Sequence, residues 1–358
     1  MKKLIATVLA VLLLCSMATA CAAPSAATTP ADSSAKKAAC ILGVGGLGDQ
    51  SYNDLVYSGM KKAESELGIA FDYAEPKQIS EFELIMRDMA SSGQYSVIVC
   101  VGFDQVDPLT KVAPEFPDQQ FALIDGVVDG PNIANYTCME EEGSFLVGAL
   151  AGLMKKNAAA YGVADNNTIG FIAAMEIPLL VKFDAGFQAG AKFVNPSISV
   201  LTDYVGGNNP FSDTTTAKEI ALTQFSKGAD IVYHAAGGSG LGVFQAAAEQ
   251  NFKAIGVNSN QNVLDPDHIV ASMLKRVDTA AFEIVKAACV DGNLAVGSIT
   301  VLGVKDNGVG YTLEGSNIKV SAEDVAIIEG LRAKIADGSL VIPTTLEEVD
   351  PFLAANVK

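Results

Sequence analysis

The sequence predicts an α/β protein of two lobes, each a parallel sheet covered by helices. Three observations carry this. Short apolar runs alternate with amphipathic segments from residue 39 onward; the alternation comes in two series, 39 to about 150 and about 165 to 260; and a further strand and helix come after the second series. Strands alternating with helices build βαβ units, whose strands run parallel. A strand and helix left over after two complete series imply that the chain returns to the first lobe before it finishes in the second.

The first forty residues lie outside that pattern. Lys2 and Lys3, the apolar residues 4–17 and the small residues Ala18, Thr19 and Ala20 have the form of a secretion signal. The apolar part is too short for a comfortable membrane span. Cys21 comes at once, and "MATAC" has the form of a lipobox, whose cysteine becomes the lipidated first residue of the mature chain. Residues 22–38 hold no aromatic or large aliphatic side chain and cannot build a core. As a flexible coil they would reach roughly 20–25 Å, a tether between a membrane and the lobes.

The lobes then come in order. "ACILGVG", "IAFDYA", "YSVIVCVG" and "QFALIDG" read as the strands of the first series, rich in β-branched residues and stopped by glycine or other turn residues. Between the first two, "NDLVYSGMKKAESELG" sets Leu55, Met60, Ala63 and Leu67 at helical spacing, and "SEFELIMRDMASSG" repeats the pattern. The second series runs through "TIGFIAAM", "SISVLTDYV", "ADIVYHAAG", "FKAIGVN" and "HIVASML". The expected division is lobe 1 from residues 39–150 with about 262–295, and lobe 2 from about 151–261 with about 296–358.

Composition removes several function classes. The 358 residues are 49% hydrophobic, enough for two cored domains, and the formal charge of −17 becomes −19 once residues 1–20, with two lysines and no acid, are removed. So acidic a body offers no basic surface to nucleic acid or to anionic lipid. Cys40, Cys100, Cys138 and Cys289 show no metal-ligand spacing, and Cys40 and Cys100 sit inside strand-like runs as small hydrophobes. No metal, cofactor or disulfide framework is expected.

Residues 43–48 satisfy GxGxxG after a strand, with Asp72 and Glu75 at plausible distance, which is the dinucleotide fingerprint. The residues after Gly48 argue against it. Asp49-Gln50-Ser51-Tyr52-Asn53 is a polar, helix-capping loop rather than the small apolar first turn that a dinucleotide site needs. The loop offers Asp49, Gln50 and Asn53 at the carboxyl end of a first strand, where open α/β sheets bind ligands. Catalytic groups are scarce. The two histidines, His234 and His268, belong to no HExxH, GxSxG or GxxxxGK[ST] pattern. A Ser239 nucleophile near His234 is conceivable, but "AAGGSGLG" reads better as a glycine turn into a helix.

Six collinear segments, "GDQSYNDLVYSGMKKA", "MEEEGSFLVGALAG", "GFIAAMEIPLLVKFDAGFQAGAK", "YHAAGGSGLGVFQAAAE", "AIGVNSNQN" and "VASMLKRVDTA", resemble the basic membrane protein family of bacterial lipoproteins, which includes the purine nucleoside receptors of ABC importers. The resemblance implies a type I periplasmic-binding-protein fold, with two Rossmann-like lobes joined by a three-crossing hinge that closes on a ligand. It implies a monomeric, lipid-anchored receptor outside the cytoplasmic membrane that presents a small solute to permease subunits and performs no reaction. Carried over, Asp49 and Asn53 would bond a base edge and Tyr57 would stack on its face. Glu142 and Asn258 would meet ribose hydroxyls, Gly237 and Gly238 would admit backbone amides, and Lys275 would reach the cleft from the returning segment. Phe211 or Tyr233 would supply the second stacking face.

Plainer alternatives stand beside these assignments: Tyr57 as core, Lys275 as a solvated strand end, and Glu142 as helix N-terminal charge. Two departures from the family pattern bear on the ligand. The first loop lacks one acid and one aromatic of the DxxFDD type, and Asn258 stands where an aspartate is usual. An amide gives up a charge-assisted bond, worth roughly twice a neutral one. A nucleoside-like solute is therefore expected, with a sugar or heteroaromatic base, or an exported nucleoside hydrolase, as the alternatives.

Overall fold

The computed structural model describes residues 36–357. The signal segment, Cys21 and most of the tether lie outside the described residues, and the first strand already begins at Lys37, two residues earlier than the sequence pattern suggests.

The first lobe is built from β1 (Lys37–Ile41), α1 (Tyr52–Leu67), β2 (Ala70–Ala74), α2 (Phe82–Ser91), β3 (Val97–Val101), α3 (Val106–Val112), β4 (Phe121–Ile124) and β5 (Ile133–Cys138). The chain crosses at Met139 into the second lobe. There it forms α4 (Glu140–Lys156), α5 (Ala158–Tyr161), β6 (Thr168–Ala173), α6 (Pro178–Val194), β7 (Ser199–Tyr204), α7 (Thr214–Ser226), β8 (Ile231–Ala235), α8 (Leu241–Gln250), β9 (Lys253–Asn258) and β10 (Ile269–Lys275). It returns through α9 (Val277–Lys286) and β11 (Ser298–Leu302), then ends with β12 (Val309–Thr312), α10 (Ala322–Ala336) and α11 (Val349–Asn356).

Two six-stranded sheets result, ordered β11-β5-β4-β3-β1-β2 and β12-β10-β9-β8-β6-β7, with β12 the one antiparallel member among the described residues. In the first sheet, alternate residues of β1 serve opposite layers. Ala38 and Cys40 pack with Val56 and Met60 of α1 and with Val277 and Ala281 of α9. Ala39 and Ile41 pack with Phe82 and Met86 of α2 and Leu109 of α3. Strands covered on both faces read as unbroken apolar runs, as "VIVCV" in β3 does, with every residue buried.

The division between lobes differs from the expected one. Helix α4 packs along α6, and β10 pairs with β9, so residues 140–150 and 262–275 lie in the second lobe. Strand β11 pairs with β5, so residues 298–302 lie in the first. Strand pairing decides membership, and a lone strand at the end of a series carries no local sign of its sheet. The three crossings are tied to each other: Met139 N donates to Leu302 O at 2.9 Å and Arg276 N to Gly308 O at 2.8 Å. Cys40, Cys100, Cys138 and Cys289 are buried and unpaired.

Candidate ligand-binding site

The carboxyl ends of both sheets face a cavity between the lobes, with about 750 Å³ of empty space partly open to solvent. The first lobe supplies the loop after β1 (Gly43 to Asn53), the loop after β3 (Gly102, Phe103, Asp104) and Asp125 after β4. The second supplies Leu179, Leu180 and Phe183 of α6, with Phe211, Gly237, Asn258 and Lys275.

The fingerprint loop cannot hold a pyrophosphate, because carboxylates of the chain already occupy its amides. Leu47 N donates to Glu75 Oε2 at 3.0 Å; Gly48 N and Gln50 N donate to the two oxygens of Asp54 at 2.8 and 2.9 Å. Asp49 does the same for the start of α1. Its oxygens accept from the amides of Ser51, Asn53 and Asp54 at 2.8, 2.8 and 3.2 Å, and from Asn53 Nδ2 at 3.2 Å. Asn53 Oδ1 in turn accepts from Gly43 N at 2.8 Å. Burial pushes the Asp49 carboxyl up, and these backbone donors pull it back. Asp49 and Asn53 thus reach the cavity wall while their acceptor oxygens fix the loop.

Lys275 lies at the centre of an ion cluster that spans the lobes. Its Nζ is 2.5 Å from Asp125 Oδ2 and 2.9 Å from Glu140 Oε1, and it sits 5.4 and 5.7 Å from the ring centres of Tyr52 and Phe183. Burial alone would lower the lysine's pKa; the two carboxylates outweigh it and hold the ammonium charged, well above its ordinary range. Burial raises Asp125, against the pull of Lys275. Lys182 adds a second cation, 3.1 Å from Glu140. Asp125, Cys138 and Glu140 come close enough together to hold a metal ion, but the Lys275 ammonium already supplies positive charge there.

Polar bonds close the lobes over the cavity. Asn258 Nδ2 donates to Ser51 Oγ at 3.0 Å, Ser259 Oγ to Gln50 O at 2.8 Å and Gln261 Nε2 to Gln50 O at 3.1 Å. Gln50 and Asn258 both adopt left-handed backbone, at φ 51° and 66°. Few residue types take that conformation without strain, and asparagine is one that does.

Of the expected contact residues, Asp49, Asn53, Phe211, Gly237, Asn258 and Lys275 line this cavity. Three do not. Tyr57 packs edge-on against Phe71 and Tyr73, with ring centres 5.7 and 5.1 Å away, because the cavity meets only the amino end of α1. Tyr52, at that end, faces the cavity instead. Glu142 Oε2 accepts from Val304 N at 2.6 Å and so ties the first crossing to the third. A Cβ built on Gly238 would stand 3.1 Å from Phe211 O and 3.5 Å from Asp49 Cβ, so this glycine serves the approach of the lobes.

Tyr233, the alternative stacking residue, is fully buried between Phe171 and Phe187 with its hydroxyl 3.1 Å from Ser144 Oγ. Phe211, by contrast, lines the cavity, and its ring centre lies 6.3 Å from that of Phe103. Tyr52, Phe103, Asp104, Asp125 and Phe183 went unread in the sequence. The usable signal for Phe103, Asp104 and Asp125 was their place directly after "VIVCVG" and "FALI", where parallel strands end at a ligand site.

No catalytic pair joins His234 to Ser239. His234 Nε2 is 3.1 Å from Gln261 Oε1, while Ser239 Oγ donates to Pro210 O at 2.8 Å. Burial pushes His234 down to about 4, so the imidazole is neutral.

Relatives agree with this architecture. An uncharacterized lipoprotein of Pyrococcus horikoshii is 36% identical over 77% of this chain and 68% of its own length. An ABC transporter nucleoside-binding protein of Lactococcus lactis is 27% identical over 86% of this chain and 89% of its own. A solved ABC transporter solute-binding protein of Aeropyrum pernix superposes with a TM-score of 0.78 at 28% identity, covering 90% of this chain and 98% of the other. A family model described as ABC transporter substrate-binding protein PnrA-like matches residues 36–345, and the chain belongs to that family.

Proposed function

We propose that this substrate-binding protein takes a nucleoside-like solute into the interlobe cavity and hands it unchanged to the permease of an ABC importer. The observation that carries this reading is the cavity wall, where Phe103, Phe183 and Phe211 give flat apolar surface beside polar groups from both lobes. Base stacking on an aromatic ring contributes about 1–3 kcal/mol. The Lactococcus relative, named for nucleoside binding, supports the same class.

A calorimetric panel of nucleosides, free bases, plain sugars and amino acids tests it. Nucleosides should bind, and Phe211→Ala should weaken them by about 1–3 kcal/mol, against about 8 kcal/mol for micromolar affinity. Binding of a plain sugar or amino acid alone, or an unchanged affinity in Phe211→Ala, overturns the stacking model. Chromatography after prolonged incubation should recover the nucleoside intact; release of free base would establish the hydrolase alternative.

The protein is further proposed to be held at the outer face of the cytoplasmic membrane through a lipid on Cys21, by a tether ending at β1. The name of the Pyrococcus relative, a lipoprotein, supports this. Among the described residues no helix is long and apolar enough to cross a membrane. Intact mass after detergent extraction should show a diacylglyceryl chain starting at Cys21, and Cys21→Ala should leave the membrane fraction. An unmodified protein whose distribution ignores that substitution would refute the anchor.

A further inference from the structure

The polar groups of the cavity are unbalanced toward acceptors, and one acceptor is a carboxylate without a partner. The charge of Lys275 is met by Asp125 and Glu140, and the oxygens of Asp49 are taken by the amides of α1. Among the described residues Asp104, which lines the cavity beside Phe103, makes no ion pair and no hydrogen bond with another residue's side chain; the donor to its carboxylate is its own backbone amide. The turn that carries it is specially shaped. Gly102 adopts φ 111°, open in practice to glycine alone, and a Cβ there would stand 2.8 Å from Asp104 Oδ1. Gln105 fixes the same turn by donating to Ile41 O and Val101 O at 2.8 and 3.0 Å.

Two further cavity groups bear on the occupant. Asn258 Oδ1 and Asp125 Oδ1 belong to residues more than nine-tenths buried, and Asn258 Oδ1 accepts no hydrogen bond among the described residues. The Tyr52 hydroxyl, a donor with no other partner among the described residues, stands beside Asp125 and serves its Oδ1, which leaves Asn258 Oδ1 as the acceptor open to an occupant. Buried acceptors left unpaired are costly, so the occupant that completes this cavity must bring donors.

We propose that Asp104 determines specificity, taking a solute edge with two adjacent N–H donors such as guanine presents at its N1 and 2-amino group. The proposal rests on the nucleoside reading of the site. A carboxylate has two parallel acceptor oxygens, and two neighbouring N–H groups match them in charge-assisted pairing. Phe103, adjacent in sequence, supplies apolar surface for the same ring. Burial pushes the Asp104 carboxyl up to about 6, so the group is ionised at neutral pH and neutral in mild acid. Among the described residues no cation with uncommitted charge lines the cavity, so a phosphate or carboxylate on the ligand would be repelled.

Titrating wild type and Asp104→Asn with guanosine, inosine and adenosine tests this. Wild type should bind guanosine about 10–100-fold more tightly than inosine, which lacks the 2-amino donor, or adenosine, which lacks the N1 proton. Asp104→Asn should abolish that preference, chiefly by weakening guanosine, with an unchanged melting temperature in the absence of ligand. Guanosine affinity should also fall below about pH 6 in wild type and stay flatter in the variant. Asp49, Asp125, Tyr52 and Lys275 face the same cavity and are common to both proteins, so the difference isolates Asp104. Equal affinity for the three nucleosides, or a guanosine preference that survives Asp104→Asn, overturns the proposal and leaves the receptor reading intact. Failure of all three to bind removes the nucleoside reading, and the proposal with it.

Discussion

Lys275→Ala is expected to lose about 3–5 kcal/mol of folding stability, the cost of breaking a buried ion pair by removing one member. Asp125 and Glu140 would remain in a site from which water is nearly excluded, with Lys182 beside Glu140 as the remaining cation. The loss also releases a link between lobes, since Asp125 comes after β4 of the first sheet and Lys275 ends β10 of the second. The pH dependence fixes the sign. Without the ammonium, the burial that already raises Asp125 loses its main opposition, so the folded variant binds a proton that the unfolded chain has already released. Stability of the variant must therefore fall as pH rises from about 4. In wild type the lysine's pKa is itself raised, so its contribution persists through neutrality and fails only in strong alkali. Urea unfolding of the two proteins at pH 5 and pH 8 should show a difference that widens at pH 8. A constant difference, or one below about 1 kcal/mol, would mean that Lys275 is not the counter-ion of the cluster.

Lys275 also shows how far the sequence could be read. Its presence in the cleft was implied by a family segment, beside the plainer reading of a solvated strand end. Its partners were not. Asp125 and Glu140 are 150 and 135 positions away, and no local pattern states that the ends of β4, β10 and α4 converge. Strands, helices and their order were legible because burial on two faces imposes apolar runs and burial on one imposes helical spacing. Membership of β10 and β11 was not, since pairing is a non-local choice. At α1 the limit was a single turn: Tyr52 and Tyr57 both come after the loop, and only the exact start of the helix puts the first in the cavity and the second against Phe71 and Tyr73. The rejected fingerprint was the opposite case. The helix-capping character of "DQSYN" was visible, and the structure finds Asp49, with Asp54 just after it, bonded to the amides that a pyrophosphate would need.

Glycines in "EGSFLVGALAG" and "FDAGFQAGAK" hold the second lobe together, and two alanine substitutions of opposite sign should reveal it. Gly148 and Gly152 on α4 and Gly186 and Gly190 on α6 recur at four-residue spacing, so each pair forms one groove along its helix. The helices meet there backbone to backbone. A Cβ on Gly190 would stand 2.0 Å from Phe145 O, one on Gly148 2.2 Å from Phe187 O, and one on Gly186 2.2 Å from Glu141 O. Ordinarily, alanine in place of a helix-interior glycine stabilises by roughly 0.5–1 kcal/mol, because glycine loses more conformational freedom on folding. Gly330, on the exposed face of α10 with nothing within 4 Å of its would-be Cβ, should obey that rule, and Gly330→Ala should raise the denaturation midpoint. Gly190→Ala should lower folding stability by about 1–3 kcal/mol, and the midpoint with it, because the obstacle is a carbonyl of a buried helix that cannot rotate aside and the helices must part to admit a methyl. Since α4 begins at the first crossing and carries Glu140 into the ion cluster, the same displacement should weaken ligand binding, whereas Gly330→Ala should leave affinity unchanged. Two substitutions that both stabilise would show that α4 and α6 pack through side chains rather than through their backbones.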